Sequence, residues 1–143
     1  MAYQRSIPVR FPDVDFARVV YYPRFFDYCH QVMEDFFRDE VKVPYAEMLG
    51  ARKTGFPSVH AEADFKAPLR FGDTARVVMD VTRVGKSSAS LRFRLFRGAT
   101  EELVATVGVV VAAIDMERFS GVDVPEDVKQ VFERHAALSA PVS

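Results

Sequence analysis

Between Arg24 and Arg38 the apolar residues Phe25, Phe26, Cys29, Val32, Met33, Phe36 and Phe37 recur at spacings of three and four. Arg24, Asp27, Gln31, Glu34, Asp35 and Arg38 fill the other side, and His30 falls with them on the polar face. This is the period of an amphipathic helix whose buried stripe is unusually bulky, so it needs a broad apolar surface to lie against. Pro23 suits its first turn, where a missing N–H costs nothing.

The remaining sequence supplies that surface mostly as strands. Arg5 to Phe11 reads as a short strand stopped by Pro12, and "VPYAEMLGARKTGFP" as a loop with a short helix. "HAEADFKAP" alternates, and "LRFGD" forms a turn around Gly72 and Asp73. "TARVVMDVTRV" and "SASLRFRLFR" flank the tight turn "GKS", where Gly85 offers conformational freedom. In the second of these, Leu91, Phe93 and Leu95 alternate with Ser90, Arg92 and Arg94, giving one buried and one wet face. After the turn "GATEE", the run "LVATVGVVVAAI" (Leu103 to Ile114) reads as a central strand covered on both faces. Pro125 opens a short C-terminal helix, and the tail after Leu138 is expected to fray.

One helix followed by consecutive antiparallel strands gives an α+β layered domain spanning residues 1–143, with no repeat or linker. One helix covers only one face of such a sheet, so a second copy related by two-fold symmetry is expected. An apolar content of 49% supports a real core. A net charge of −1 with 27% charged residues argues against nucleic-acid or membrane-surface binding. A single cysteine excludes an internal disulfide and fits a reducing compartment. The N-terminus lacks a secretory apolar region, and the longest apolar run is too short to cross a membrane. A soluble cytoplasmic protein is expected. Three scattered histidines and one cysteine lack metal-ligand spacing, and no G-x-G-x-x-G, P-loop or G-x-S-x-G motif occurs.

Chemistry concentrates just ahead of the helix, in "RFPDVDFARVVYYPRFFDYC". Asp13 suits the closing of the turn before the helix, as Asp often does. Asp15 stands among Val14, Phe16, Ala17, Val19 and Val20, where a carboxylate close to a helix start can act as nucleophile or base.

This stretch resembles the signature of the hotdog-fold acyl-CoA thioesterases of the 4-hydroxybenzoyl-CoA thioesterase type. Their pattern runs from an aromatic residue through D-x-D, a Gly and a Val to Tyr-Pro or Tyr-His before a long helix. The resemblance continues through "DFKAPLRFGDTARVVMDVTRVGKSSASLRF" and ends at "VPEDVKQVF", covering roughly the whole chain in order. It implies an antiparallel sheet wrapped around one long central helix. It also implies hydrolysis of an acyl-CoA to a carboxylic acid and free CoA, with an aromatic acyl group among the candidates. No cofactor is implied beyond the CoA of the substrate, and a homodimer or homotetramer is.

By position the resemblance makes Asp15 the catalytic aspartate. It makes Tyr22 the residue whose backbone N–H, at the positive end of the helix, faces the thioester oxygen. Arg18 stands where the family usually has Gly, and it either lines the pocket and reaches a substrate carboxylate or is a solvated turn residue. Lys86 and Ser87, in the "GKSS" turn, are placed near the CoA phosphates, with Arg52 and Lys53 as weaker candidates of the same kind. His60 or Glu62 either faces the pocket, its own or that of a neighbouring subunit, and orients water, or His60 is structural. Two other functions remain open: a hotdog dehydratase or hydratase, disfavoured by Tyr22-Pro23 at the helix entrance, and a non-catalytic acyl-thioester binding protein.

Overall fold

The aromatic stripe forms its helix as the period requires. In the computed structural model, which describes residues 2–138, helix α1 spans Pro23–Phe36 with Tyr22 as N-cap. It runs on through a π-helical turn, Phe37–Val41, and stops at Lys42, whose φ of 67° ends the helix in the left-handed region. Phe25, Tyr28, Cys29, Val32, Met33 and Phe36 are buried along one side. Each such apolar side chain taken out of water contributes about 1.5–3 kcal/mol against the entropy of ordering it.

The strands that receive this face are β1 (Tyr3–Pro8), β2 (Thr54–Gly55), β3 (Ser58–Phe65), β4 (Thr74–Val84), β5 (Ser88–Arg97) and β6 (Leu103–Ala112). Two short strands follow, β7 (Ile114–Asp115) and β8 (Ser120–Gly121). A short helix α2 (Tyr45–Leu49) precedes β2, and α3 (Glu126–Leu138) closes the described chain. The main sheet has the order β1-β4-β5-β6-β3 with antiparallel neighbours throughout, and β2, β7 and β8 make a small second sheet. Val77, Met79 and Val81 of β4 and Leu91, Phe93 and Leu95 of β5 turn their side chains into the common core with α1. Helix α3 packs beside it, with Phe132 stacked on Phe36 at 6.0 Å and in edge contact with Phe37 and Phe56. This is the hotdog arrangement, a sheet wrapped around one long helix.

The structure departs from the sequence reading in several places. The first strand begins at Tyr3 and ends at Pro8, because its ladder with β4 runs from Tyr3–Met79 to Pro8–Thr74. The Val-rich run is β6, but the middle strand is β5, and the outward-facing Thr106, Gly108 and Val110 of β6 are only half-buried. Gly85 is not in the left-handed region, which among the described glycines only Gly72 occupies, with φ 96°. What Gly85 provides is closeness: its N–H donates to Ser88 O at 2.8 Å, and a Cβ there would lie 3.2 Å from Ser88 Oγ. The tail after Leu138 lies outside the described residues.

Strand β3 is an edge. Seven of its eight residues are exposed, including Val59 and Phe65, and one side of its ladder faces no other strand among the described residues. A long edge with apolar side chains is a template for a further strand.

Candidate active site

Residues 13–21 fold into a tight loop against the end of the sheet. Val14 and Val20 form an antiparallel bridge, Asp15 N–H donates to Val19 O at 3.1 Å, and Tyr21 N–H donates to Asp13 O at 2.9 Å. Val20 N–H reaches across to Leu69 O at 2.8 Å. That anchor is itself held, because Asp73 Oδ2 accepts from Arg70 N–H at 2.9 Å and lies 2.6 Å from Arg97 Nη1. The "LRFGD" turn therefore fixes where the loop sits.

Asp13 is a structural residue. It is buried, and Oδ2 accepts from Arg10 N–H at 2.9 Å and from the Tyr28 hydroxyl at 2.8 Å. Arg24 lies 3.9 Å from its other oxygen. The first aspartate of the pair closes the turn before the helix, as its residue type anticipates.

Asp15 has the opposite environment. It is exposed, and the Phe16 and Ala17 beside it face solvent, so the apolar shelter read from the sequence does not come from its own chain. Asp15 Oδ1 accepts from Ala17 N–H at 2.8 Å, which orients the carboxylate. Oδ2 has no partner among the described residues. On the other limb of the loop stands Tyr22, exposed, at the start of α1. Arg24 N–H returns to Tyr21 O and Phe25 N–H to Tyr22 O, but the Tyr22 N–H has no acceptor among the described residues. A free carboxylate oxygen and a free N–H at a positive helix end thus lie on one loop, an arrangement able to attack a carbonyl and hold the resulting oxyanion.

Arg18 belongs to the same loop. Its φ is 67°, and its N–H donates to Asp15 O at 2.9 Å. The position where glycine is usual is indeed a left-handed one, and here arginine bears the cost.

The other anticipated residues lie elsewhere in the protomer. Lys86 and Ser87 are exposed in the β4–β5 turn, at the far end of the eleven-residue strand β4, roughly 35 Å from the Asp15 loop at the usual strand rise. Arg52 and Lys53 are already engaged: Arg52 pairs with Asp127 through two contacts of 2.7 and 2.8 Å, and Lys53 pairs with Glu117. His60 does not face α1. His60, in regular register opposite Val110, points to the outer sheet face, with Nε2 3.8 Å from Glu62, and a bulge between it and Ser58 moves the inward place off Val59. Ser58 takes the inward place instead. It lines a cavity of about 70 Å³ between α1 and the sheet, at whose rim stands His30, 53% exposed and on the polar helix face as its spacing indicated. No sequence signal marked Ser58, because alternation across a bulge misreads the face. The outer face also holds Asp80, fully buried beneath Arg92 and Arg94 at 2.7 and 3.2 Å.

The sheet around one helix, with an acid and a free helix N-terminus at its mouth, defines a protein of the hotdog type built for chemistry on an acyl group. Residues 9–132 match the family model of the Thioesterase-like superfamily, and the chain belongs to that family. It is 27% identical over 131 residues to a 1,4-dihydroxy-2-naphthoyl-CoA hydrolase of Prochlorococcus marinus (strain MIT 9303), covering 87% of this chain and 85% of that protein. Its backbone superposes on a 1,4-dihydroxy-2-naphthoyl-CoA thioesterase from Synechocystis with a TM-score of 0.85, at 21% identity, over 92% of this chain and 96% of the other. A gentisyl-coenzyme A thioesterase gives a TM-score of 0.80 at 24% identity, over 87% and 98%. At such identities the two superpositions speak for the fold.

Proposed function

We propose that this protein hydrolyses an acyl-CoA thioester, preferentially one with an aromatic acyl group, to a carboxylic acid and free CoA. The observation that carries the proposal is that Asp15 Oδ2 and the Tyr22 N–H, neither with a partner among the described residues, stand on one loop at the head of α1. The thioester carbonyl oxygen lies at the Tyr22 N–H, where the helix dipole favours the negative charge of the tetrahedral intermediate. Asp15 either attacks the carbonyl carbon itself or takes the proton of an attacking water. In both routes the C–S bond breaks and the thiolate leaves and is protonated; where Asp15 attacks, water then cleaves the acyl–aspartyl anhydride and frees the carboxylate, and where water attacks, it adds to the carbonyl directly. The family membership and the name of the Prochlorococcus relative support the thioester substrate and the aromatic acyl group. The chemistry consumes only water, so no cofactor is required.

The working unit is at least a dimer. Pairing two β3 edges antiparallel about a two-fold axis sets the Ser58 end of one strand beside the Phe65 end of the other. That operation carries the Lys86–Ser87 turn of one protomer toward the Asp15 loop of its partner, the two being at opposite ends of the sheet within one chain. Lys86, which has no acidic partner among the described residues, then meets a CoA phosphate and Ser87 adds a hydroxyl donor. Arg18 lines the mouth of the site. The second copy also shelters Asp15, whose own chain leaves it exposed. The lone buried Cys29 suits the reducing cytoplasm.

The test is thiol release from benzoyl-CoA and naphthoyl-CoA by wild type, Asp15→Asn and Asp13→Asn. Asp15→Asn keeps its size yet is expected to lose about 10²–10⁴-fold in kcat, the usual cost of removing a general base. Equal losses in the two variants, or an active Asp15→Asn, would overturn the assignment.

A further inference from the structure

Two Arg-Phe steps of the sequence, Arg10-Phe11 and Arg70-Phe71, meet beside the Asp15 loop. The Phe11 and Phe71 rings lie edge to face, 5.9 Å apart at 73°. They are nevertheless 73% and 61% exposed, so the contact buries neither. Each ring stands on a turn closed by a backbone hydrogen bond. Asp13 N–H donates to Arg10 O at 2.9 Å around Phe11, and Asp73 N–H donates to Arg70 O at 3.0 Å around Phe71. Gly72, at φ 96°, gives the second turn its shape. Val9 N–H donates to Asp73 O at 2.8 Å and ties the two turns together. A bonded backbone thus holds two large apolar rings in water, where folding gains little from them and a ligand gains much.

A second copy paired at β3 does not account for this exposure. Phe11 follows β1 and Phe71 leads into β4, and β5 and β6 separate β4 from the β3 edge, about 14 Å at the usual strand spacing. The charges around the rings are also out of balance. Arg10, Arg18, Lys66 and Arg70 are all exposed, and none has an ion-pair partner among the described residues. Three aspartates share these two segments. Asp13 is buried and accepts from Tyr28 and from Arg10 N–H, Asp73 is held by Arg97, and Asp15 is the reacting group. The surface beside the rings is therefore short of negative charge.

We propose that the Phe11–Phe71 pair seats the adenine of the CoA substrate, with Arg10 and Arg70 taking its 3′-phosphate. A purine offers a flat π-face to an exposed ring, and such stacking needs no enclosed cavity. A phosphate accepts from a guanidinium fork through charge-assisted hydrogen bonds, which is why arginine rather than lysine suits the place. The rings and the cations adjoin the loop whose Asp15 and Tyr22 meet the thioester, so the flexible pantetheine arm folds back to bring the base there. The pyrophosphate is left to Lys86 of the second copy, and the two sets of cations do not compete. This inference rests on the acyl-CoA reading, since the nucleotide is taken from the molecule whose carbonyl lies at Tyr22.

The experiment compares benzoyl-CoA, benzoyl-dephospho-CoA, which lacks the 3′-phosphate, and S-benzoylpantetheine, which lacks the nucleotide. It uses the full chain as wild type and as three double variants: Phe11→Ala with Phe71→Ala, Phe11→Tyr with Phe71→Tyr, and Arg10→Gln with Arg70→Gln. The alanine pair should raise KM about tenfold on both nucleotide substrates with kcat intact, the size of one lost base stack. The tyrosine pair keeps both rings and should match wild type. The glutamine pair should raise KM about fivefold on benzoyl-CoA alone, and added salt should shrink that difference. A fall in kcat, or a deficit that persists on S-benzoylpantetheine, would mean a structural role and overturn the proposal, as would a wild-type KM in the alanine pair. Equilibrium binding of adenosine 3′,5′-bisphosphate, the nucleotide end of CoA, reads the same seat without chemistry. Tighter binding of ATP would assign the seat to a free nucleotide and overturn the CoA assignment. If no thioester is hydrolysed but the bisphosphate binds about tenfold more weakly to the alanine pair than to wild type, the reaction is wrong and the seat stands. If thioesters are hydrolysed and the bisphosphate binds both proteins alike, the reaction stands and the seat is wrong.

Discussion

The Tyr28 hydroxyl donates to Asp13 Oδ2 at 2.8 Å, in the buried space between α1 and the loop that carries Asp15. Burial first, and the neighbouring Asp13 second, push the Tyr28 phenol well above its ordinary range, so it stays a donor at every working pH. Tyr28→Phe keeps the ring and removes the donor, leaving Asp13 with the Arg10 N–H. A loss of about 1–2 kcal/mol in urea unfolding is expected, with a larger loss for Asp13→Ala, which strands both donors. Equal stability of Tyr28→Phe and wild type would show that this bond does not hold the loop.

Arg18 lies at φ 67° in the turn between the two functional limbs. Arg18→Gly relieves a left-handed conformation costing an L-residue about 1 kcal/mol, although the freer unfolded chain takes part of that back. A denaturation midpoint at or above that of wild type is expected. The KM for each acyl-CoA measured beside it shows whether the guanidinium also meets substrate. A clear drop in stability would mean that the arginine side chain holds the turn together.

Lys86→Ala separates phosphate binding from catalysis. The contact is the same in ground and transition states, so KM should rise about fivefold with kcat intact, as for an exposed charge pair of about 1 kcal/mol. Added salt should shrink the difference. On a truncated thioester without nucleotide phosphates the two proteins should behave alike, and a persisting deficit would remove the phosphate role. Light scattering on the same samples should give at least a two-chain mass, and a one-chain mass at micromolar concentration would remove the shared site.

Cys29 lines the cavity between α1 and the sheet yet is buried, and desolvation pushes its thiol well above the usual range. A disulfide reagent at pH 8 should therefore label the folded protein slowly and the unfolded protein at once. The sign for stability follows. The folded pKa is raised, so the neutral thiol favours folding below the unfolded value of about 8.5, and stability falls as pH rises past it. Tyr28 acts in the same direction from about pH 10. Unfolding midpoints measured from pH 7 to 11 should decline, and Cys29→Ala should flatten the first part of the curve. Rapid labelling of the folded state would mean that the cavity is open to the reagent.

Local periodicity made much of this protein legible in its sequence. The stripe from Phe25 to Phe37, the alternation of Leu91, Phe93 and Leu95, and the punctuation at Pro23, Gly72 and Pro125 each depend on neighbours within a few residues. Those signals place α1, β4, β5, β6 and α3 close to where they lie. The separation of Asp13 from Asp15 was half legible: a turn carboxylate was expected, but its partner Tyr28 comes from a helix fifteen residues on. What the chain packs together at long range was not legible. Strand order put β5 rather than β6 in the middle, and one bulge in β3 turned Ser58 rather than Val59 inward. The antiparallel ladder sent Lys86 to the end of the sheet away from Asp15. The sequence alone determined which of the long segments are helix and strand and where an acid precedes a helix start, because steric and hydrophobic period act locally, while the short strands β2, β7 and β8 carried no such signal. Only the tertiary structure decided which side chains share a cavity, because register, bulges and strand order are set by contacts between residues far apart in the chain.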